Sequence, residues 1–311
     1  MVKSSEARGE LFRVSLSTMW AQGRFKHMAE FVEKAREFGF AQIEAHSSLS
    51  PEMLNEIIET AVSISSVHCP CPNSLSSNGI AVSHLSLSST EEIERREAIN
   101  YANKTIDLAS KIGAKTVVLH MGEVPVNAEL EEKLRRLYEE GLARSEIYVK
   151  VKEELLSERK SKAPLHLAAA MESLEELSEY GRRRGIMLGL ENRVYFREIP
   201  DINEMEELLS SVEGNCAGYW HDVGHAEVQQ HLGFTRHEEW LRRFSEKMIG
   251  IHLHDALGIS DHLVPGKGNV NWDTVAKYLP GAAIRTCEIN QQVGEQLVEE
   301  AIPFLRKVGI L

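Results

Sequence analysis

Two short stretches in the second half of the chain place imidazole and carboxylate side chains at the ends of apolar runs. They are Trp220–His225 (WHDVGH) and Ile251–Asp255 (IHLHD). Glu191 and Glu288 each close a further strand-like segment. Carboxylates and imidazoles gathered from successive strand ends are the ligands from which barrel enzymes build metal sites. The pattern therefore predicts a divalent-metal centre.

Apolar, β-branched segments alternate with amphipathic helical segments along the chain. Eight strands, each followed by a helix, predict an α/β fold of the (β/α)₈ TIM barrel type, as one domain over residues 1–311. A doubly wound dinucleotide-binding sheet has no support, because no Gly-x-Gly-x-x-Gly follows the first strand. The predicted strands are Phe12–Ser17, Ala41–Ala45, Ile64–His68, Thr116–His120, Met187–Glu191, Gly218–Asp222, Ile249–His254 and Ala283–Glu288. The predicted helices are Lys26–Phe38, Pro51–Ala61, Glu91–Ile112, Leu165–Arg184, Ile202–Val212, Glu238–Glu246, Trp272–Tyr278 and Gly294–Val308.

The interval between the fourth and fifth predicted strands is too long for one crossover. Residues 128–161 are rich in Glu, Lys and Arg, with apolar residues at helical spacing, which predicts an extra helix or helical excursion on the active-site face. We expect Pro164 to separate it from the next helix. The barrel thus carries a predicted helical insertion between strands 4 and 5, at about 128–164.

The ends of six consecutive predicted strands carry residues of the types that bind metals. A single strand-end histidine is usually a hydrogen-bonded polar cap, whereas six such ends in succession indicate a metal site. Oxygen and nitrogen donors together suit Mn²⁺, Mg²⁺, Co²⁺ or Zn²⁺, and the sequence leaves the choice among them open. His252 and His254 have the same parity on strand seven, so both can point inward. Only one of them is needed to bind metal, and the other, with Asp255, can orient a ligand or the substrate. The six are His68, His120, Glu191, Asp222, His252 and Glu288.

Composition argues against several classes of protein, among them nucleic-acid-binding, zinc-knuckle, membrane and secreted proteins. A formal net charge of −12 argues against nonspecific binding of nucleic acid. The four cysteines lack zinc-knuckle spacing, so reduced thiols are expected. No apolar run approaches the roughly 20 residues that span a bilayer, and the first residues do not form the apolar stretch of a secretory signal. These observations predict a cytoplasmic protein without membrane association.

Five motifs together resemble the xylose isomerase-like barrel superfamily, over the chain from Val14 to about Leu305. The superfamily includes sugar isomerases and epimerases, inosose-type enzymes and endonuclease IV. In its epimerase branch, one divalent metal stabilises an enediolate, and two glutamates face opposite sides of the carbon that loses its proton. The resemblance thus implies a sugar, sugar phosphate or polyol-type substrate. It also implies that the metal ligands are Glu191, Asp222, His252 and Glu288. The two glutamates would be the acid/base pair, and His225 would contact the substrate. The motifs are Glu191-Asn192, Asp222-x-x-His225, His252-x-x-Asp255, the loop from Asp261-His262 to Gly266-Lys267-Gly268, and Glu288.

Further residues are candidates for binding the substrate. His254 and Trp220 share the parity of metal ligands on their strands, Arg193 follows the first glutamate and can reach an anionic group, and Lys267 lies in a short glycine loop suited to a phosphate. Arg197 and Gly258 depart from the ketose 3-epimerase pattern, in which an acidic residue and an arginine often occupy these positions. The remaining histidines are interpreted as surface or capping residues: His27, His46, His84, His166, His231 and His237.

Two other functions stay open. The endonuclease IV branch binds three metals through nine residues, and eight of those positions match here, with Ser260 at the ninth; His68, His120, His225 and His262 would then hold further metal. The acidic charge and the lack of basic, aromatic loops favour a small carbohydrate over nucleic acid as the partner. A catalytically silent, metal-dependent binding barrel is the third alternative. A homodimer is compatible with exposed barrel helices, but no patch specifies one.

Overall fold

The computed structural model describes residues 12–212, 214 and 216–311, and its parallel strands close into a barrel. The barrel strands are β1 (Phe12–Ser17), β2 (Phe40–Ala45), β3 (Ser63–His68), β4 (Thr116–Leu119), β5 (Met187–Glu191), β6 (Ala217–Asp222), β7 (Met248–Leu253) and β10 (Ile284–Cys287). They neighbour one another in the order β1-β10-β7-β6-β5-β4-β3-β2. The predicted barrel is confirmed, and each predicted strand end lies within one residue of the observed one.

Helices surround the barrel. They are α1 (Met28–Glu37), α2 (Pro51–Glu59), α3 (Glu92–Ile112), α4 (Ala128–Glu139), α5 (Glu146–Arg184), α6 (Ile202–Ser211), α7 (Val223–His231), α8 (His237–Phe244), α9 (Trp272–Tyr278), α10 (Glu295–Val298) and α11 (Ala301–Lys307). Within the described residues, none of them combines the length and the apolar character that a membrane crossing requires.

The helix α7 and a small hairpin were not predicted. α7 buries His225, Glu227 and Gln229 along with apolar residues, so its sequence lacks the apolar stripe on which the helix predictions rested. The hairpin pairs β8 (Asp255–Leu257) with β9 (Ser260–Leu263) in antiparallel fashion directly after β7. Its strands are too short to give a recognisable alternation in the sequence.

The predicted break at Pro164 is wrong. α5 runs unbroken for 39 residues through Pro164, which makes it roughly 58 Å long at 1.5 Å per residue. Ser145 caps its first turn by accepting from the backbone N of Tyr148, and Gly185 ends it with a positive φ of 67°. Proline removes one backbone donor from the helix. Five residues earlier, Arg159 ties the helix to α6 through Glu204.

Trp220 fills the barrel interior one layer below the carboxyl end of β6. Its side chain is fully buried, and its ring lies against Gly189 on β5 and Gly250 on β7. A Cβ at position 250 would lie 2.1 Å from Cζ3 of the indole, and one at position 189 would lie 2.8 Å from Cε3. Glycine at both positions therefore makes room for the tryptophan. Because side chains alternate along a strand, the next inward-facing residue on β6 is Asp222, and it lies at the mouth of the barrel.

Candidate metal centre

The carboxyl ends of four strands bring Glu191, Asp222, His252 and Glu288 together. Asp222 ends β6 beside His252 of β7 in register, Glu191 ends β5, and Glu288 directly follows β10. One donor atom from each residue lies within 4.8 Å of the others, and all four residues are buried. The structure therefore assembles the four predicted ligands at one point inside the barrel mouth.

His252 is surrounded by the three carboxylates. Its Nδ1 lies 2.6 Å from Glu191 Oε1, 3.3 Å from Glu288 Oε2 and 3.4 Å from Asp222 Oδ2. Burial alone would lower the pKa of His252, but the negative charges of Glu288, Glu44 and Glu191 raise it well above its ordinary value. A single imidazole nitrogen thus faces several negative charges in a region that water does not reach.

The donor set fits a divalent cation. Glu288 Oε1 is buried and makes no hydrogen bond with the residues that the structure describes, and a buried carboxylate oxygen in that state is costly unless a cation meets it. Three carboxylates and one imidazole form the mixed oxygen and nitrogen set that Mn²⁺, Co²⁺ or Zn²⁺ accepts. Glu191, Asp222, His252 and Glu288 would be the ligands of such an ion.

Glu44 on β2 supports this centre and was missed in the sequence. Its two carboxylate oxygens each lie 3.2 Å from His252 Nε2, and Ser66 Oγ donates to it over 2.7 Å. A carboxylate on the far nitrogen of a histidine fixes the ring orientation and makes the near nitrogen a better ligand. The available signal was an acidic residue at an inward position of an apolar strand, one residue before that strand ends.

His46 was predicted to be a surface or capping residue, and that prediction is wrong. It follows β2, its side chain is 14% exposed, and its Nε2 lies 3.8 Å from Glu288 Oε1. Its ring centroid lies 5.1 Å from that of His68. Burial lowers the pKa of His46 to about 4 although the charge of Glu288 opposes this effect. The imidazole is therefore neutral at neutral pH. Its Nδ1 accepts from the backbone N of Ser48 over 3.2 Å, so its proton is on Nε2, the nitrogen that faces Glu288.

Replacing Glu44 by glutamine is expected to weaken divalent-metal binding by about 10- to 100-fold. The amide keeps the shape and an acceptor oxygen but removes the negative charge that faces His252 Nε2. Titration calorimetry with Mn²⁺ measures the change, and the exposed Glu33→Gln variant is the matched control. Equal affinity in the two variants would contradict the supporting role of Glu44.

A second group lies beside the centre, around Glu191 Oε2. His120 Nε2 is 2.7 Å from that oxygen, and His68 Nε2 is 3.9 Å from it. Arg193 also contacts it, and its guanidinium donates to Glu198 over 3.0 Å. Arg193 was predicted to bind substrate; the structure instead gives its side chain protein partners and leaves it only 10% exposed.

A third group joins three predicted histidines. His225 Nδ1 lies 3.0 Å from the carbonyl oxygen of Asn192, and its backbone N donates to Asp222 over 2.7 Å. His254 Nε2 contacts Asp222 at 2.9 Å, while its Nδ1 accepts from the backbone N of His262 over 2.9 Å. Because His254 is fully buried and contacts Asp222, its position fits the orienting role that the sequence left open for it beside substrate binding.

Two other predicted substrate contacts lie elsewhere. Trp220 is enclosed in the barrel interior, with its ring centroid 5.2 Å from that of His252. Lys267 forms an ion pair with Glu300 over 2.6 Å, on the outer side of its loop. Asp255 fixes this loop by accepting from the backbone N of Gly266 over 2.8 Å. Trp220 is thus enclosed by the barrel and Lys267 is paired with Glu300, although both were predicted to contact substrate.

A buried polar network holds the ends of β5 and β6 in place. Asn192 donates to the backbone carbonyl of Asp222 over 2.9 Å and accepts from its backbone N over 2.8 Å. The hydroxyl of Tyr219 donates to Asn192 and lies 2.6 Å from His221 Nδ1. His237, predicted to be a surface or capping residue, is buried here and lies 3.0 Å from His221. The network fixes the backbone that carries two proposed ligands.

Comparison with known proteins points to one fold family. A family profile described as xylose isomerase-like TIM barrel matches residues 32–308. A D-tagatose 3-epimerase-like protein is similar over 96% of this chain and 99% of its own, with 20% identity and a TM-score of 0.65. D-psicose 3-epimerase from Clostridium cellulolyticum H10 shows 14% identity and a TM-score of 0.67, over 96% and 99% of the two chains. The IOLI protein, solved with a zinc atom, shows 15% identity and a TM-score of 0.61, over 96% and 97%.

A sequence relative adds no functional information. Protein y4fM of Sinorhizobium fredii, named as uncharacterized, is 23% identical over 194 residues. The matched region covers 62% of this chain and 52% of the relative, so the match spans about half the length of that protein.

Proposed function

Because the chain belongs to the xylose isomerase-like TIM barrel family, we propose that it is a divalent-metal-dependent isomerase or epimerase of sugars or related hydroxycarbonyl compounds. The convergence of Glu191, Asp222, His252 and Glu288 within 4.8 Å carries this proposal. Similar barrels described as sugar 3-epimerases, and a similar barrel solved with zinc, support it.

The proposed reaction moves a proton at a carbon next to a carbonyl group. Such a carbon loses its proton only if the resulting negative charge is stabilised. A divalent cation held by the four ligands would supply that stabilisation, as a Lewis acid for the carbonyl oxygen. The surrounding protein contributes the bases, the orientation and the exclusion of water.

Glu288 is the proposed base. Its Oε1 makes no hydrogen bond with the described residues. A carboxylate oxygen has two lone pairs, so Oε1 can face the ion with one of them and take up the substrate proton with the other. Its Oε2 faces His252 and His262 at 3.3 and 3.5 Å, and these contacts fix the plane of the carboxylate. A base held in one position reaches only one side of the reacting carbon.

Glu191 is the proposed partner in proton transfer. Oε1 faces His252 Nδ1 across the proposed ion site, and Oε2 accepts from Arg193, so the orientation of the carboxylate is fixed. A second carboxylate on the opposite side of the carbon would return the proton there, which inverts the configuration of that carbon. In an isomerisation, Glu288 would instead return the proton to the neighbouring carbon.

His225 is the proposed contact for a substrate hydroxyl. Its Nδ1 donates to the carbonyl oxygen of Asn192, which leaves a lone pair on Nε2. Its side chain is buried but stands at the first turn of α7, beside Asp222. A hydroxyl next to the substrate carbonyl would donate to this nitrogen and thereby be oriented relative to the ligands.

Proton exchange with D₂O tests the proposed function. The protein is loaded with Mn²⁺ and incubated with ketoses, inososes and their phosphates, and deuterium incorporation is followed by mass spectrometry and proton NMR. We expect one compound class to gain a single deuterium beside its carbonyl, and a chelator to stop the exchange. Tight binding of these compounds without exchange would support a silent binding barrel instead. Exchange that survives complete metal removal would reject the metal-dependent mechanism.

A further inference from the structure

The guanidinium of Arg193 occupies an unusual position for a positive side chain. It contacts Glu191 Oε2, and its Nη1 lies 2.5 Å from His120 Nε2. Those two acceptor atoms are themselves 2.7 Å apart. An arginine carries donors only, so with the His120 proton on Nδ1 the Nη1 group can donate one N–H to each of these two atoms. A positive group thus lies where a metal ion bound to both Glu191 Oε2 and His120 Nε2 would have to lie.

The same two atoms would be needed by a second metal ion. His68, His120 and Glu191 each offer a donor atom, and these atoms lie within 4.8 Å of one another. An ion there would bond to His120 Nε2 and Glu191 Oε2 at roughly 2.0–2.2 Å. A histidine nitrogen has one lone pair, and here Arg193 Nη1 lies against it. The arginine and a metal ion therefore exclude each other at this group.

The surrounding loop holds Arg193 in this place. Its Nε and Nη2 donate to Glu198 Oε1 over 3.2 and 3.0 Å. Glu198 is itself fixed, because its Oε2 accepts from the backbone N of Tyr195 over 2.9 Å. Gln229 of α7 donates to the backbone carbonyl of Arg193 over 3.3 Å. An arginine with both its head group and its backbone anchored loses little further entropy on occupying the group.

We infer that Arg193 is a built-in cation that takes the place of a second metal ion at the His68–His120–Glu191 group. This inference rests on the proposed function, since Glu191 is then shared between a bound ion and the arginine. The charge of Arg193 balances Glu191 without adding a Lewis acid. Hydrolysis that depends on three metals would lose one of its sites, whereas proton transfer at a single ion remains.

Metal stoichiometry tests the inference without reference to turnover. Four proteins are compared: wild type, His120→Ala, Arg193→Ala, and the Arg193→Ala/His120→Ala double variant. Each is loaded with excess Co²⁺, desalted, and measured by elemental analysis, and circular dichroism confirms folding. We expect His120→Ala to leave the Co²⁺ content of the wild type unchanged. In the Arg193→Ala background, the same substitution is expected to remove one ion per chain. Arg193→Lys, which keeps the positive charge, should bind as many Co²⁺ ions per chain as the wild type does.

The outcomes separate this inference from the proposed function. Loss of one ion when His120 is replaced in the wild type would overturn the inference, because the group would then hold metal beside Arg193. An Arg193→Ala protein that gains no ion would overturn it as well. A wild type that binds no Co²⁺ at all would refute the proposed metal centre, while the comparison in the Arg193→Ala background would still decide the role of the arginine. If Arg193→Ala does not fold, Arg193→Met replaces it in both comparisons.

Discussion

Replacing Glu288 by glutamine is expected to lower substrate proton exchange by about 10²- to 10⁴-fold. The amide keeps the shape of the side chain and one oxygen able to face a metal, but it cannot take up a proton. Glu288 Oε1 is the carboxylate oxygen of the centre without a hydrogen bond to the described residues. The exchange rate in D₂O measures the effect, on the compound that the screen identifies.

Two further measurements make the result for Glu288 specific. Glu299→Gln makes the same chemical change at an exposed glutamate, and it should leave the exchange rate unchanged. Co²⁺ content shows whether Glu288→Gln still holds the metal, which separates loss of the base from loss of the ion. A Glu288→Gln protein that keeps its metal and the full exchange rate would reject Glu288 as the base.

Replacing Arg159 by methionine is expected to destabilise the fold by about 3–5 kcal/mol. The guanidinium forms two hydrogen bonds with Glu204, of 2.8 and 2.6 Å, and a third with the carbonyl oxygen of Glu198 over 2.9 Å. Both Arg159 and Glu204 are buried, so methionine would leave the carboxylate without its positive partner and with only the backbone N of Asp201 as a donor. The free energy of unfolding in urea measures the loss.

Two comparisons identify the cause of that destabilisation. The double variant Arg159→Met/Glu204→Leu removes both charges and should recover most of the lost stability, because a buried apolar pair can replace a buried ion pair. Arg184→Met breaks an exposed pair with Asp107, and about 1 kcal/mol or less is expected from it. A loss for Arg159→Met no larger than that for Arg184→Met would show that the buried pair is not a stabilising feature.

The barrel itself could be predicted because its signals are local. Each strand is a short β-branched run, and the helices α3 and α5 end at Gly113 and Gly185, which adopt positive φ. Helix continuity across Pro164 could not be predicted, because proline is disfavoured inside a helix, and the contact of Arg159 with Glu204 that ties this helix to α6 joins residues 45 apart in the chain. Local propensity gives no account of such a contact.

The clustering of the four candidate ligands was easier to predict from the sequence than the residues that contact them. Glu191, Asp222, His252 and Glu288 stand at strand ends, where alternation tells which side chains face inward. Glu44 and His46 were missed because the second strand was not expected to contribute ligands. The sequence also does not show which partner a long side chain will contact. Arg193 forms an ion pair with Glu191, two residues earlier, and Lys267 forms one with Glu300.

The indole of Trp220, packed between Gly189 and Gly250, closes the barrel interior below the candidate site. Since Trp220 is fully buried and fills the interior beneath His252, reactant and product have to share the single rim on the carboxyl side of the strands. A product that lingers there competes directly with the next reactant. A compound bound at the rim therefore has to leave by the way it entered, past the loops on the carboxyl side.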